Sequence, residues 1–260
     1  MSYKLVVLDM DGTLLTNDHS VSDKNKESIH SFKKKGIDFI LASGRPFESI
    51  LPYVRDLKLT LPVIAANGAV IKCPITEKLH FTSFLPLELS REIIEFGRSE
   101  NYSISLYGEN EVLTFDEKMV KLHWNLEKVN ATLIDSFVGE KSLTKLIFSD
   151  LPKRINGAFE HLAKKYENEL YITRSDDIFL DVMNLEVSKG KALRYIMDML
   201  DLAPYEVMVM GNSFNDLTMF ENAGLAIAMA NSPQAVKEAA HFVTKSNLED
   251  GVSFALEKII

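Results

Sequence analysis

Short, mostly apolar runs alternate with amphipathic segments along the first third of the chain. The runs are Leu5–Leu8, Ile37–Ala42 and Leu61–Ala66, and apolar strands of this kind are typical of sheets that are buried on both faces. The segment between the first two runs predicts a helix, because Ser22 provides an N-cap and Gly36 a stop signal. This β-α-β-α-β order predicts a parallel, doubly wound sheet.

The last third of the chain repeats this order. A helix pattern opens at Lys189-Gly190-Lys191, and apolar runs follow at Val207–Met210 and Leu225–Met229. A last short strand at Phe242–Thr244 precedes a terminal helix. Because both ends of the chain show the same alternation, we predict that both contribute to one sheet.

The middle of the chain has a different pattern, in which short strands and two helices lead to a hairpin turn at Asp176-Asp177. We therefore predict an α/β fold with a doubly wound, Rossmann-like core of residues 1–83 and 188–260. An antiparallel α+β module of residues 84–187 is inserted into it. Its predicted helices open at Pro86 and span Lys153–Tyr166, and its strands are Ile104–Tyr107, Val112–Phe115, Lys145–Phe148, Leu170–Thr173 and Ile178–Val182.

Composition narrows the possible functions. The chain of 260 residues has a formal net charge of −8, whereas nucleic-acid-binding proteins usually present a basic surface, so we predict no nucleic-acid partner. No apolar stretch reaches the roughly twenty residues that cross a bilayer, and no N-terminal signal is recognised. The single cysteine, Cys73, excludes an internal disulfide, and the six histidines form no pair at metal spacing. These features predict a cytoplasmic protein without a membrane partner.

A pair of carboxylates follows the first predicted strand. Asp9 and Asp11 come directly after Leu5–Leu8, and Gly12 lets the chain turn away. Ligands of open α/β sheets bind at the carboxyl ends of the strands. Two charges are costly there unless a cation or a catalytic task requires them. An Asx-rich turn and a calcium loop are the alternatives, although the residues after Thr13 lack the spacing of a calcium loop.

Other strand ends and one helix start carry residues that suit an anion. Ser43 and Gly44 provide a hydroxyl and backbone N–H groups at a helix N-terminus. Lys189 provides a compact positive charge at the start of another helix. The loop after Val207–Met210 adds the polar side chains Asn212, Asn215 and Asp216.

Each of these residues also has a purely structural interpretation. Ser43 could cap the helix that begins near Pro46. Lys189, or its neighbour Lys191, could be a solvated helix residue. The pair Asn67-Gly68 after the third predicted strand is either a tight turn or a further loop at the site.

In this order, the polar loops resemble the four motifs of the haloacid dehalogenase-like (HAD) superfamily. They are specifically similar to those of its Cof-type sugar-phosphate phosphatases (type IIB, with a large α/β cap). The resemblance covers nearly the whole chain and implies that residues 84–187 form a cap that closes over the site. The segments that carry it are Asp9–Leu14, Ser43–Arg45, Lys189-Gly190, Gly211–Asp216, Ala223–Asn231 and Asn247–Val252.

The resemblance implies a role for each candidate residue. Asp9 would attack phosphorus and form an aspartyl-phosphate, and Asp11 would act as general acid and then general base. Mg²⁺ would be the cofactor, held by the Asp9 carboxylate, the Asp11 backbone carbonyl and Asn212. The residues that would hold the phosphoryl oxygens are Ser43, Lys189, Asn215 and the backbone of Met10 and Gly44.

One position departs from the family pattern. Where the fourth motif usually reads Gly-Asp, this chain has Gly211-Asn212. An amide oxygen can bind Mg²⁺ but brings no negative charge, so we expect weaker metal binding, with Asp216 partly compensating through a bound water.

Three functions follow as hypotheses. The first is a Mg²⁺-dependent phosphatase of small phosphorylated metabolites, as a monomer or weak homodimer. A phosphate-ligand binding or regulatory protein with weak turnover, motivated by Asn212, is the second, and a phosphosugar mutase is the third. The cap residues that we consider for contact with the leaving group are Tyr107, Trp124, Arg174 and Asp176.

Overall fold

A computed structural model describes residues 3–108, 111–137 and 141–260. Its first elements are β1 (Leu5–Leu8), α1 (Asp23–Lys34), β2 (Asp38–Leu41), α2 (Phe47–Asp56), β3 (Val63–Ala65), β4 (Val70–Lys72) and β5 (Leu79–Thr82). The middle contains α3 (Leu87–Ser99), β6 (Ser103–Tyr107), β7 (Val112–Thr114), α4 (Glu117–Glu127), β8 (Ala131–Leu133), β9 (Lys145–Ser149), α5 (Pro152–Lys165), β10 (Leu170–Asp176) and β11 (Phe179–Asn184). The last elements are α6 (Lys189–Met199), β12 (Val207–Gly211), α7 (Leu217–Phe220), β13 (Leu225–Ala228), α8 (Gln234–Glu238), β14 (Phe242–Val243) and α9 (Gly251–Ile259).

The chain divides into two compact units. One consists of Met1–His80 with Ser188–Ile260, and the other is Phe81–Val187. We call the first the parallel-sheet unit and the second the inserted unit. Among the described residues, no helix combines the length and the apolar character that crossing a membrane requires.

The parallel-sheet unit is built on five parallel strands in the order β14-β13-β12-β1-β2. All four residues of β1 are buried, as expected for a central strand that is covered on both faces. Side chains from β1 and β2 pack with those of α1, α2 and α9 in one apolar cluster, for example Val6, Phe39, Ile29 and Val252. The predicted α/β class and its parallel core sheet are confirmed.

The third predicted strand differs from the expectation. β3 joins β2 through a single parallel bridge between Ala42 and Ile64, and its partner is β4, which runs antiparallel to it. The reversal takes place in the turn Ala66–Gly68, where all three residues have positive φ angles. β3 is therefore part of a second, three-stranded sheet, β3-β4-β5.

The inserted unit is a six-stranded sheet in the order β10-β11-β9-β6-β7-β8. The pairs are antiparallel as predicted, except that β7 and β8 are parallel. Two parallel strands need a crossover, and α4 provides it; the sequence patterns did not predict this helix. Asp116 caps α4 by accepting the N–H of Lys118 at 2.8 Å.

Two of the residues considered for contact with a leaving group differ sharply in exposure. Tyr107 is only 2 % exposed, and its hydroxyl donates to Glu127 at 3.0 Å. Trp124 on α4 is 51 % exposed. Tyr107 is therefore part of the interior of the inserted unit, with its polar tip already satisfied by the protein.

Candidate active site

Polar residues from three loops follow the ends of neighbouring strands. Asp9 comes directly after β1, Ser43 comes two residues after β2, and Asn212 comes directly after β12. β1 lies between β2 and β12, and the three strands run in the same direction. Their carboxyl ends therefore meet at one edge of the sheet, where open α/β sheets bind ligands.

A buried lysine links two carboxylates at this edge. Lys189 Nζ donates to Asp9 Oδ1 at 2.6 Å and to Asp216 Oδ1 at 2.7 Å. Burial and the nearby Asp216 raise the pKa of Asp9, although Lys189 opposes the shift. Burial by itself lowers the pKa of an ammonium, but Asp216 and Asp9 raise the pKa of Lys189 above its usual range. Because one ammonium faces two carboxyl groups here, the site can accommodate a further cation.

Asp216 contacts Lys189 and also holds the loop after β12 in place. Its Oδ2 accepts the backbone N–H groups of Asn212 at 2.8 Å and Ser213 at 3.0 Å. A Cβ atom on Gly211 would lie 2.6 Å from the Asp216 carboxylate, so only glycine fits there. Both oxygens of Asp216 thus have protein partners, and its water-mediated contact with a metal stays a prediction.

Asp11 is paired with Arg45, a residue of the Ser43–Arg45 motif for which the sequence predicts no role. Arg45 is 3 % exposed, and its Nε donates to Asp11 Oδ2 at 2.7 Å while its Nη2 donates to Asp11 Oδ1. The surrounding protein acts to raise the pKa of Asp11. Arg45 and His19 lower it by a larger amount, so the pKa of Asp11 lies below its usual range. Asp11 is therefore ionised in this arrangement and must leave Arg45 before it can donate a proton.

The Asn212 amide lies against the two other predicted metal ligands. In one orientation its Nδ2 donates to Asp9 Oδ2 at 2.9 Å, to the Asp11 carbonyl at 2.8 Å and to Thr13 Oγ1 at 2.8 Å. In the opposite orientation its Oδ1 takes that place and accepts from the Thr13 hydroxyl at 2.8 Å. The same side chain can thus present either a donor or an acceptor to Asp9 and Asp11.

The second orientation fits a magnesium ion. It brings the Asn212 oxygen to 2.9 Å from Asp9 Oδ2 and 2.8 Å from the Asp11 carbonyl oxygen. Neighbouring oxygens around Mg²⁺ are about 2.9 Å apart, because octahedral Mg–O bonds are about 2.0–2.1 Å long. In the described parts of the chain, no three His, Cys, Asp or Glu side chains are placed to hold a metal. A magnesium site here therefore depends on the two uncharged oxygens, from Asn212 and the Asp11 backbone.

The residues predicted to hold phosphate occupy the same edge. Ser43 is buried, and its Oγ accepts the N–H of Arg45 at 3.2 Å. The N-cap of α2 is Pro46, which offers no side-chain hydrogen bond, so Ser43 does not cap this helix. Gly44 follows Ser43 in the same turn. Met10 lies in the turn after Asp9, where its carbonyl accepts the N–H of Leu15 at 2.9 Å.

Asn215 is held by a residue in the turn between β3 and β4. Its Nδ2 donates to Asn67 Oδ1 at 3.0 Å, and both side chains are buried. The sequence allows Asn67-Gly68 to be either a simple turn or a loop at the site. The hydrogen bond joins this turn to the loop after β12, so Asn67 belongs to the same constellation.

Comparison with known proteins extends over nearly the whole chain. The sequence profile of haloacid dehalogenase-like hydrolases matches residues 6–256. The phosphatase YcsE of Bacillus subtilis, which acts on 5-amino-6-(5-phospho-D-ribitylamino)uracil, is 28 % identical over 97 % of this chain and 94 % of its own length.

Two solved structures show the same fold. One is a Thermotoga maritima protein, which is 31 % identical with a TM-score of 0.81 and covers 99 % of this chain and 98 % of its own. The other is a haloacid dehalogenase-like hydrolase of Bacteroides thetaiotaomicron, which is 28 % identical with a TM-score of 0.86 over 100 % of both chains.

Proposed function

The chain belongs to the haloacid dehalogenase-like hydrolase family, and from that premise we propose that it is a Mg²⁺-dependent phosphatase that works through an aspartyl-phosphate on Asp9. Phosphatase activity toward small phosphorylated metabolites follows from the family and its relatives. The metal, the covalent intermediate and the role of each residue are the proposal. The observation that carries it is the buried Asp9 carboxylate, which contacts Lys189 through one oxygen and the Asn212 amide through the other.

The proposed reaction has two steps. In the first, an Asp9 oxygen forms a bond to phosphorus while the ester P–O bond breaks, and the leaving alkoxide takes a proton from Asp11. In the second, Asp11 removes a proton from water, the water oxygen attacks phosphorus, and inorganic phosphate leaves Asp9. Lys189, Ser43 and Asn215 would hold the phosphoryl oxygens through both steps.

Magnesium would be held by Asp9 Oδ2, the Asp11 carbonyl and Asn212 Oδ1, and when bound it would neutralise charge on the phosphoryl group and on Asp9. The chain's own part is to bring these oxygens together at one sheet edge, opposite the Lys189 ammonium. Asp11 is the group that has to change partners, because Arg45 holds it in its ionised form.

The first test is phosphate release from a panel of phosphorylated sugars, sugar alcohols and nucleotide precursors. We expect release with Mg²⁺ and its loss, by at least about 100-fold, after chelation by EDTA, because one electrostatic contact to a developing charge contributes on the order of 10²–10³ in rate. Re-addition of Mg²⁺ should restore the rate. Equal turnover with EDTA throughout would contradict the metal assignment, and product that is an isomer instead of free phosphate would indicate a mutase.

A binding or regulatory protein with weak turnover is a second candidate, because Asn212 lacks the charge of a carboxylate ligand. We expect Asn212→Asp to bind Mg²⁺ about tenfold more tightly or better, which corresponds to about 1.4 kcal/mol. Isothermal titration calorimetry measures this affinity directly. In the absence of Mg²⁺, the same variant should melt at a lower temperature, because a third carboxylate then faces Asp9 without a cation.

Asn130→Asp provides the matched control, since it adds the same charge at an exposed position of the inserted unit. It should change neither the affinity for Mg²⁺ nor the melting temperature. If Asn212→Asp gains metal affinity and turnover together, the wild-type site is limited by its metal, as the binding hypothesis requires. Efficient wild-type turnover at millimolar Mg²⁺ would eliminate that hypothesis.

A further inference from the structure

The turn between β3 and β4 has a backbone that ordinary residues rarely adopt. Ala66 and Asn67 have φ angles of 47° and 55°, and Gly68 follows at 101°. L-residues avoid the left-handed region for steric reasons, and an alanine there is unusual. Such conformations persist where the surroundings hold them, and they are concentrated at functional sites.

Backbone hydrogen bonds fix this turn to the loop after β2. The Ala66 N–H donates to the Arg45 carbonyl and the Asn67 N–H donates to the Ser43 carbonyl, both at 2.9 Å. A Cβ atom on Gly44 would lie 3.1 Å from Asn67 Oδ1. The Asn67 amide therefore lies directly against the turn that is proposed to bind phosphate.

The same turn packs against the start of α6. A Cβ atom on Gly68 would lie 2.4 Å from the Ser188 carbonyl oxygen, a distance that excludes any side chain. Ser188 is the N-cap of α6, and Lys189 is its first residue. The turn thus touches the loop after β2, the loop after β12 and the helix that carries Lys189.

The Asn67 side chain is fully buried and only half used. Its Oδ1 accepts from Asn215 Nδ2, but its own Nδ2 has no hydrogen-bond partner among the described residues. Nearly all buried amide groups in proteins are hydrogen-bonded, because an unpaired donor in the interior is costly. Asn215 Oδ1 is likewise unpaired among the described residues, so this amide pair keeps one donor and one acceptor unused beside the loop that is proposed to bind phosphate. The unused donor suits an acceptor oxygen that comes from outside the chain.

We propose that Asn67 Nδ2 donates a hydrogen bond to a phosphoryl oxygen of the substrate, while Asn67 Oδ1 holds the Asn215 amide for the same group. The proposal rests on the phosphatase function proposed above. A phosphoryl group presents several acceptor oxygens, and Asn67 adds a neutral donor to the ammonium of Lys189. The strained turn is what directs this donor inward.

Two variants separate ligand contact from structural support. Asn67→Gly removes the amide and relieves the left-handed backbone, which offsets part of the cost of leaving the buried Asn215 Nδ2 without its acceptor. Asn67→Asp keeps the shape and the acceptor for Asn215 but replaces the donor with a negatively charged oxygen, and aspartate tolerates this backbone. The binding probe is inorganic phosphate, measured by calorimetry with and without Mg²⁺, which needs no turnover.

We expect the dissociation constant for phosphate to rise about tenfold or more in Asn67→Gly, as for loss of a hydrogen bond to a charged group. It should rise further in Asn67→Asp because of repulsion between like charges. KM for the best substrate of the panel should rise in the same order. A merely structural role would instead make Asn67→Asp, which keeps the acceptor for Asn215 Nδ2, bind phosphate more tightly than Asn67→Gly.

Asn101 supplies a matched control, because it also has a left-handed backbone, with φ 58°, but lies exposed in the inserted unit. Asn101→Gly and Asn101→Asp should bind phosphate like the wild type. Wild-type phosphate affinity in a folded Asn67→Asp variant would overturn the proposal for Asn67. If instead the wild-type chain itself binds no phosphate, the proposed function fails first, so the two failures are distinguishable.

Discussion

Asn in place of Asp9 should abolish turnover while leaving the fold at least as stable. The amide has nearly the same shape as the carboxylate, but it is not a nucleophile toward phosphorus, so no aspartyl-phosphate can form. Removing the covalent nucleophile of a serine protease costs on the order of 10⁶-fold in kcat, and we expect a loss of similar size. Phosphate release under saturating Mg²⁺ and substrate measures this loss.

The stability of Asp9→Asn should move in the opposite direction. The pKa of Asp9 is raised in the folded protein by burial and by Asp216, which means that folding disfavours its ionised form. A neutral amide removes that penalty at neutral pH, so the variant should unfold at the same or a higher temperature than the wild type. Loss of function with gain of stability is expected where a site keeps charges together for chemistry.

Asp198→Asn is a suitable control, because Asp198 is exposed on α6; its turnover should equal that of the wild type. Acid-quenched protein from a reaction with radiolabelled substrate gives a second measurement. The wild type should carry a hydroxylamine-sensitive label, and Asp9→Asn should carry none. A labelled or fully active Asp9→Asn variant would falsify the nucleophile assignment.

The sequence was sufficient to predict the parallel core and where its polar loops lie. The apolar runs of β1 and β12 make them central strands, and polar residues that directly follow parallel strands must meet at one edge. This reasoning places Asp9, Ser43 and Asn212 at one edge of the sheet from the sequence alone. Ser22 likewise predicted the start of α1, where it accepts the N–H of Asn25 at 3.2 Å.

Contacts between distant loops could not be predicted in the same way. The pairing of Arg45 with Asp11 depends on side-chain directions that neither periodicity nor spacing encodes. The one signal in the sequence is that Arg45 is a basic residue within the Ser43–Arg45 motif, because a buried arginine needs a carboxylate partner. The bond between Asn67 and Asn215 had no comparable signal, because it links residues 148 positions apart in the sequence.

Two features were not predicted: the antiparallel pairing of β3 with β4, and helix α4. β3 is apolar like β1, but the turn Ala66–Gly68 sends the chain back, and the left-handed backbone of Ala66 runs against the preference of its residue type. In α4, the residues Met119 and His123 are buried, and this narrow face between charged residues gives a weak helical pattern. Tertiary packing, and not the local sequence pattern, determines the structure of both segments.

Replacement of Lys189 by methionine should have the largest effect on stability. The substitution removes the only ammonium hydrogen-bonded to both Asp9 and Asp216 in the described structure, and both carboxylates are buried. Removing one partner of a buried ion pair costs about 3–5 kcal/mol because the remaining charge stays uncompensated. Denaturant unfolding at neutral pH measures the change, and phosphate release should fall as well because the donor proposed for the phosphoryl group is lost.

The loss should depend on pH in a defined direction. Lys189 opposes the upward shift of the Asp9 pKa, so the pKa of Asp9 rises further without it. A carboxylate with a raised pKa in the folded state contributes stability at low pH that is lost as the pH rises through that pKa. Lys189→Met should therefore be closer to the wild type at pH 5 than at pH 8.

A second substitution tests whether electrostatics causes this loss. In Lys189→Met/Asp216→Asn the ammonium and one carboxylate are both gone, so we expect part of the stability to return while activity does not. The coupling between the two changes should be about 1–3 kcal/mol, as for residues in one hydrogen-bonded network. Lys191→Met, two residues along α6 and partly exposed, should behave like the wild type in both measurements. If the double variant is no more stable than Lys189→Met, lost packing is the cause, and the charge balance at Asp9 is not what Lys189 maintains.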